Sequence, residues 1–397
     1  MSKTLIYADH AATTALSPAA YAAMQPWLKD QYGNPSTLYS FAREPRKAVE
    51  AARKTIAECI GAKPEEIFFT SGGTEADNWA LTGSVFANDS RSARILTSCI
   101  EHHAVLHTAD FLKRLGYDVV LLPVDKDGIV DTKALADNIN NETVLISVML
   151  ANNEIGTIQP IKELAEIAHQ HGCLFHTDAV QAMGHLPIDV KSLGIDLLSA
   201  SAHKFNGPKG VGFLYIRDGV EIEPLLHGGA QENKKRAGTE NVAGIVGMAE
   251  ALREHHDRLE QEISFLKGLS DTLLADLRES GLDFLLNGSS NRIPGSLSLS
   301  FRGADAEMLL HRLDLMGTAV ATGSACDSMS TILSHVIRAI GVPDEYAYGT
   351  IRITLGMDNT VEEMHTIAGQ IKRILTQPPV WQQFQDYMKS KQENADE

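Results

Sequence analysis

The chain predicts an α/β protein, with a large domain built on a mainly parallel sheet and a smaller α+β domain at the C-terminal end. Three observations lead there. From about residue 45 to 216 short apolar runs alternate with amphipathic segments of helical length. After roughly residue 240 that alternation gives way to one long charged helical pattern and a few strands. The length, 397 residues, exceeds what one small core can organise.

The strand candidates are EIFFT (66–70), ARILTS (93–98), DVVLLPV (118–124), TVLISVML (143–150), CLFHTD (173–178), DLLSAS (196–201) and GVGFLYI (210–216). Helical patterns at 74–87, 103–115 and 161–171 lie between them. Parallel strands need crossover connections, so helices should cover both faces of the sheet, with ligands bound beyond the strands' carboxyl ends. The later part reads as a helix over 244–280, the strand PGSLSLSF, a helix near 304–316 and the strand TIRITLG (350–356). We expect a large domain at 15–254 and a small one formed by 1–14 with 255–397. The polar end SKQENADE is expected to fray.

Composition narrows the function classes. A net charge of -16 repels phosphate backbones, so direct nucleic-acid binding is not expected, and the short run Lys234, Lys235, Arg236 reads as a solvated loop. No stretch approaches the roughly 18–20 apolar residues of a membrane helix, and MSKTLIYADH has no apolar signal core, so a cytoplasmic protein is expected. Four cysteines without CxxC spacing suit a reducing compartment.

The chemistry concentrates at strand ends. Lys204, in SAHKFNGPKG, follows one apolar strand, and Asp178, in HTDAVQAMG, ends another. An amine and a carboxylate so placed are what pyridoxal phosphate requires, the first for a Schiff base and the second to keep the ring nitrogen protonated. A solvated turn lysine and an N-capping aspartate are the alternatives. Ser71, Gly72, Gly73 and Thr74 join a strand to a helix as a phosphate cradle or a plain turn. Ser201 and His203 carry donors for the same phosphate, and Gln181 can reach the ring oxygen. His102, just past a strand, can cover a ring face and relay protons, or serve as a capping histidine. Cys326 sits in ATGSACDSMS, a small polar frame suited to an exposed nucleophile, with Asp327 opposing thiolate formation. Arg352, on a period-2 strand, can clamp a carboxylate or form a surface ion pair. The histidine groups 102/103/107 and 169/171/176 lack zinc spacings, so no metal is expected.

These pieces together resemble the cysteine desulfurases of the NifS and IscS type, class V pyridoxal phosphate enzymes. The matching segments are YADHAATT, YGNPST, FTSGGTEADN, EHHAV, NNEIGTIQPI, HTDAVQAMG, SAHKFNGPKG, GTEN, GSAC and IRITLG, in the family's order along nearly the whole chain. The resemblance implies fold type I of the pyridoxal phosphate-dependent transferases. It implies that Lys204 carries the cofactor, Asp178 pairs with its ring nitrogen, Gln181 touches its ring oxygen and His102 stacks on it. Gly73, Thr74, Ser201 and His203 would hold the phosphate, with Thr239 reaching over from a second subunit, hence a homodimer. Asn153 and Arg352 match residues near the cofactor and the substrate carboxylate, with Asn34 a further candidate. The implied activity converts L-cysteine to L-alanine and leaves a persulfide on Cys326, which passes sulfur to acceptor or scaffold proteins for iron–sulfur cluster assembly or thiolation. After the cysteine the chain departs from its relatives with Asp327 and then Thr331, Ile332, Leu333 and Ser334, which bears on acceptor choice. A small-substrate aminotransferase, a selenocysteine lyase and a noncatalytic scaffold are the other readings.

Overall fold

Consecutive apolar residues on the strands serve opposite faces of one sheet. Phe69, Leu96, Ile146, Leu198 and Phe213 enter one core, and their chain neighbours Phe68, Ile95, Leu145, Leu197 and Leu214 enter the other. That is the period of 2 acting on a sheet buried from both sides. The computed structural model describes residues 5–88, 92–323 and 333–376.

The strands run β1 (Ile6–Tyr7), β2 (Ile67–Thr70), β3 (Arg94–Ser98), β4 (Asp118–Leu122), β5 (Thr143–Ser147), β6 (Leu174–Asp178), β7 (Leu197–Ser201), β8 (Gly212–Ile216), β9 (Phe284–Leu286), β10 (Ser296–Phe301), β11 (Thr318–Ala319) and β12 (Thr350–Thr354). The helices are α1 (Pro18–Lys29), α2 (Arg43–Cys59), α3 (Gly73–Phe86), α4 (His103–Arg114), α5 (Thr132–Asn138), α6 (Ile161–Gln170), α7 (Val242–Glu279), α8 (Ala306–Leu315), α9 (His335–Ala339), α10 (Asp344–Ala347) and α11 (Val361–Thr376). For β2–β8, β10, β12, α3, α4, α6, α7 and α8 these bounds agree with the sequence expectations to within a few residues, and the other elements are additions to them.

The main sheet has seven strands in the order β2-β8-β7-β6-β5-β3-β4. β8 is antiparallel to both its neighbours, and the other pairs are parallel. The link from β7 to β8 explains the exception, because it is too short for the crossover a parallel return demands. That link contains Lys204. α2, α6 and the first part of α7 cover one face through Val49, Ile56, Leu164, Ile245 and Met248. α3 and α4 cover the other through Trp79, Ala80, Val105 and Leu112.

α7 opens with the Asn241 carboxamide accepting from the Gly244 N–H at 3.1 Å. Its later residues Leu266, Leu269 and Leu273 join a separate core with β10, β12, α8, α11, Ile6 and Ala8. The chain's beginning is therefore laced into the later part. The His10 N–H donates to the Thr354 carbonyl at 3.2 Å and the Ala11 N–H to Thr354 Oγ1 at 2.9 Å. From there the backbone crosses to the β7–β8 link, where the Thr14 N–H donates to the His203 carbonyl at 2.9 Å.

Candidate active site

Asp178 and Lys204 stand at the carboxyl ends of the neighbouring strands β6 and β7. Lys204 is half-buried, and its Nζ donates to the carbonyls of Ala11 at 2.5 Å and Ala12 at 2.9 Å. The Ala11 carbonyl also accepts from Gln181 Nε2 at 2.9 Å. Segment 11–12 thus ties Lys204 to Gln181 across the pocket, and the lysine is not a solvated turn residue.

Asp178 is 5% exposed, and its Oδ1 accepts from the Val180 N–H at 2.8 Å. Burial pushes its carboxyl up to about 6, against the opposing pull of that hydrogen bond and of Lys204. A buried carboxylate held this high calls for a cationic partner.

Behind it lie two groups without an assigned role in the sequence reading. Asp77 of α3 is 1% exposed and belongs to the buried stripe Gly73, Ala76, Asp77, Ala80, Leu81 and Ser84. His176 is fully buried between Ser147 Oγ at 2.8 Å and Ser199 Oγ at 3.0 Å, and burial brings it down to about 3. The helical spacing from Gly73 to Asp77 placed a carboxylate on the apolar face, and that was the available signal.

His102 is the N-cap of α4, its Nδ1 accepting from the Ala104 N–H at 3.1 Å. This leaves Nε2 as the protonated nitrogen. Burial, with Lys204 next, lowers its pKa to about 4, so the ring is neutral near neutrality. The preceding Glu101 is buried and pushed up to about 8, and its two oxygens accept from the Met149 N–H at 3.0 Å.

β2 delivers the chain into α3 through Gly72, whose φ of 149° suits glycine. A side chain on Gly73 would put a Cβ 2.5 Å from Val180 Cγ2. Ser201 Oγ lies 3.5 Å from where a Gly72 Cβ would sit, and Thr74 is exposed on the first turn. The helix N-terminus, two glycines and a hydroxyl make an anion cradle. His203 Nδ1 is 3.1 Å from Thr13 Oγ1, and burial brings it down to about 4.

In the basic run Lys234 is exposed as expected, but Lys235 and Arg236 are not simply solvated. Arg236 grips Glu75 at the start of α3 at 2.9 and 3.1 Å, and Lys235 Nζ sits 5.1 Å from the centroid of the Phe68 ring. Thr239, just beyond, is exposed. Asn34 makes local bonds, its Oδ1 accepting from the Ser36 N–H at 3.0 Å, and Ser36 Oγ lies 3.3 Å from Glu240. Asn34 therefore sits with the 239–240 segment rather than in bonded contact with Lys204.

Arg352 is 3% exposed, so the surface ion pair is excluded. Its Nη2 donates to Asp9 Oδ1 at 2.8 Å and its Nη1 to the Asn153 carbonyl at 3.0 Å. Asn153, Gln181 and Ala11 line one small cavity. Cys326 lies outside the described residues. Of the flanking residues, Ala321 pairs with Arg352, and Ser334 Oγ donates to Glu154 Oε2 at 2.6 Å. Both anchors adjoin Asn153.

A family model described as aminotransferase class-V matches residues 6–367, and a relative from Dictyoglomus turgidum named cysteine desulfurase IscS is 51% identical over 94% of this chain and 95% of its own. The chain belongs to the class-V aminotransferases, among their cysteine desulfurases. A solved NifS-like protein superposes with a TM-score of 0.89 at 37% identity, covering 94% of this chain and 100% of its own. A second solved structure, SspA in complex with cysteine, gives 0.79 at 35% identity over 88% and 98%.

In a cysteine desulfurase of this fold the pocket has the donor set that pyridoxal phosphate needs. It holds an amine at a strand end, a buried carboxylate requiring a cation, a helix-terminus cradle for a phosphate and a histidine ring beside them. Among the described residues one set of three side chains, Asp77, His102 and Asp178, brings potential ligand atoms within 4.8 Å of one another, and it is this same pocket floor. His103, by contrast, meets the rings of His107 and His335 in tilted contacts, at 4.9 Å and 5.0 Å between ring centroids. No helix among the described residues is long and apolar enough to cross a membrane.

Proposed function

We propose that the protein is a pyridoxal phosphate-dependent enzyme that turns L-cysteine into L-alanine and keeps the sulfur as a persulfide on Cys326. The observation carrying this reading is the juxtaposition of Lys204 and Asp178 at adjacent strand ends within a cysteine desulfurase fold. Lys204 holds the cofactor, Asp178 its ring nitrogen, Gln181 its ring oxygen, and Gly73, Thr74, Ser201 and His203 its phosphate. The bound ring supplies a sink for negative charge at the substrate Cα.

The chain's own residues do the rest. Arg352, with Asn153 beside it, takes the substrate carboxylate in place of Asp9. The Lys204 amine accepts the Cα proton, and His102 holds and returns protons at Nε2. The Cys326 thiolate attacks the substrate sulfur. As the new S–S bond forms, the Cβ–S bond breaks with its electron pair left on carbon, and Cβ takes a proton. The sum is L-cysteine plus the Cys326 thiol giving L-alanine plus the Cys326 persulfide. The relative solved with cysteine supports this substrate.

A homodimer is part of this reading. Tyr32, Leu38, Tyr39 and Phe41 are exposed, Leu38 at 95%, and this stretch is bonded through Ser36 to the segment carrying Thr239. A second copy would cover that patch and bring Thr239 to the phosphate. The two cores sharing α7 support a large domain at 15–254 and a small one at 1–14 with 255–397. Cys59, Cys99 and Cys173 are free thiols, as suits the cytoplasm. Acceptor or scaffold proteins for iron–sulfur assembly or thiolation then receive the sulfur.

Peptide mass mapping after incubation with cysteine tests the reading. Wild type should carry one extra sulfur on the Cys326 peptide and release alanine. Cys326→Ser should lose the persulfide and sulfide release while keeping the cofactor's absorbance. Normal turnover in that variant, or keto-acid production in place of alanine, contradicts it.

A further inference from the structure

The pocket floor contains more acid than the reaction uses. Asp77 and Asp178 come from different elements, α3 and β6, are both buried, and have carboxyl oxygens within 4.8 Å. Two like charges this close and this dry cannot both persist, so the pair keeps one proton.

The surroundings decide where that proton sits. Asp178 accepts a backbone N–H from Val180 and faces the Lys204 amine. Asp77 has less help. Its Oδ1 makes no hydrogen bond and lies 3.7 Å from His176 Nε2, and burial together with the charge of Asp178 outweighs the hydrogen bond from Ser199 that favours its ionised form. His176 offers no positive charge, because burial disfavours the imidazolium and its two hydrogen-bond partners, the Ser147 and Ser199 hydroxyls, carry no charge to offset that. The remaining group facing the pair, His102, is held neutral by its capping bond and burial.

We infer that Asp77 is a positioning residue: it keeps the proton of the buried carboxyl pair, so that Asp178 is the one anion beneath the cofactor's ring nitrogen. The inference rests on the function proposed above for the meaning of that anion, though not for the proton itself. An ionised Asp77 would give the ring nitrogen two acceptors and pull it off Asp178. A neutral Asp77, backed by the Ser199–His176–Ser147 chain, supplies shape and hydrogen bonding without charge.

The test is infrared spectroscopy of the purified protein with 13C-labelled aspartate, which separates aspartic acids from Glu101, at about pH 7.5, well above the ordinary aspartate range. The wild type should show the carbonyl band of one buried protonated aspartic acid. Asp77→Asn should abolish it, while the pH midpoint of the bound chromophore's absorbance stays within about 0.3 units, since one neutral group replaces another. Asp178→Asn should lose the chromophore's normal spectrum, because it removes the anion and not the neutral acid, which preserves the test should the first variant fold poorly. Absence of the band in wild type overturns the inference. So does a normal chromophore spectrum in Asp178→Asn, a midpoint shift of a full unit in Asp77→Asn, or a stoichiometric metal ion held by Asp77, His102 and Asp178. Failure of cofactor binding would leave the band readable and so be told apart.

Discussion

Arg352 and Asp9, 343 residues apart in sequence, form an ion pair between a buried guanidinium and a half-buried carboxylate, with Nη2 2.8 Å from Oδ1. The pair keeps the guanidinium oriented and its charge compensated until a substrate carboxylate competes for it. Lysine keeps the charge and loses the fork. Arg352→Lys is therefore expected to raise KM for cysteine about 10- to 100-fold, the worth of a charged hydrogen bond, with kcat changed far less. Steady-state alanine release measures both, and an unchanged KM would remove Arg352 from substrate binding.

His102 caps α4 and faces the pocket with its other nitrogen. Asparagine also caps helices well, so His102→Asn separates the structural part from proton transfer. The expected result is a melting temperature close to wild type with kcat lowered by about 10²- to 10⁴-fold. A loss of stability with little loss of rate would make the residue a cap alone.

Acid should unfold the protein partly through its neutral histidines. His176, His102, His185 and His203 have ordinary values of 6.5 and are brought down to about 3, 4, 4 and 4, chiefly by burial. The unfolded chain then binds more protons than the folded one below 6.5, so stability falls as pH falls from 6.5 through those lower values. Asp178 and Glu101 act in the opposite sense, their raised pKa values disfavouring the folded state as pH rises above the ordinary carboxylate range. Urea midpoints against pH measure the balance. His176→Gln should flatten the acid-side slope, and an unaltered slope would mean His176 is charged in the fold.

Gly73→Ala brings a methyl group to 2.5 Å from Val180 Cγ2, beside the N–H that holds Asp178. Overpacking of this kind costs about 1–3 kcal/mol. The variant should melt lower and release cofactor faster, and the double variant Gly73→Ala with Val180→Ala should recover much of both. Equal loss in the double variant would place the cost in the α3 backbone instead.

Much of this was legible in the sequence because it is local. Strand runs followed by Gly, Asp or Lys mark carboxyl ends, and those ends converge in any doubly covered parallel sheet. Lys204, Asp178, His102 and the Gly72–Gly73 turn were found that way. What escaped depends on partners far along the chain. Asp9 acquires meaning only when β12 brings Arg352 to it, and the Ala11 and Ala12 carbonyls only when the N-terminal segment crosses to Lys204. Asp77 gains its meaning only from the packing of its stripe on β6 and β7. From sequence Arg236 reads as solvated because nothing local announces Glu75, 161 residues away.

The most direct measurement is borohydride reduction of the purified protein, followed by digestion and mass spectrometry of the peptide SAHKFNGPKG. The account predicts a pyridoxyl group fixed to Lys204. An unmodified Lys204 peptide, or the group on another lysine, would contradict it.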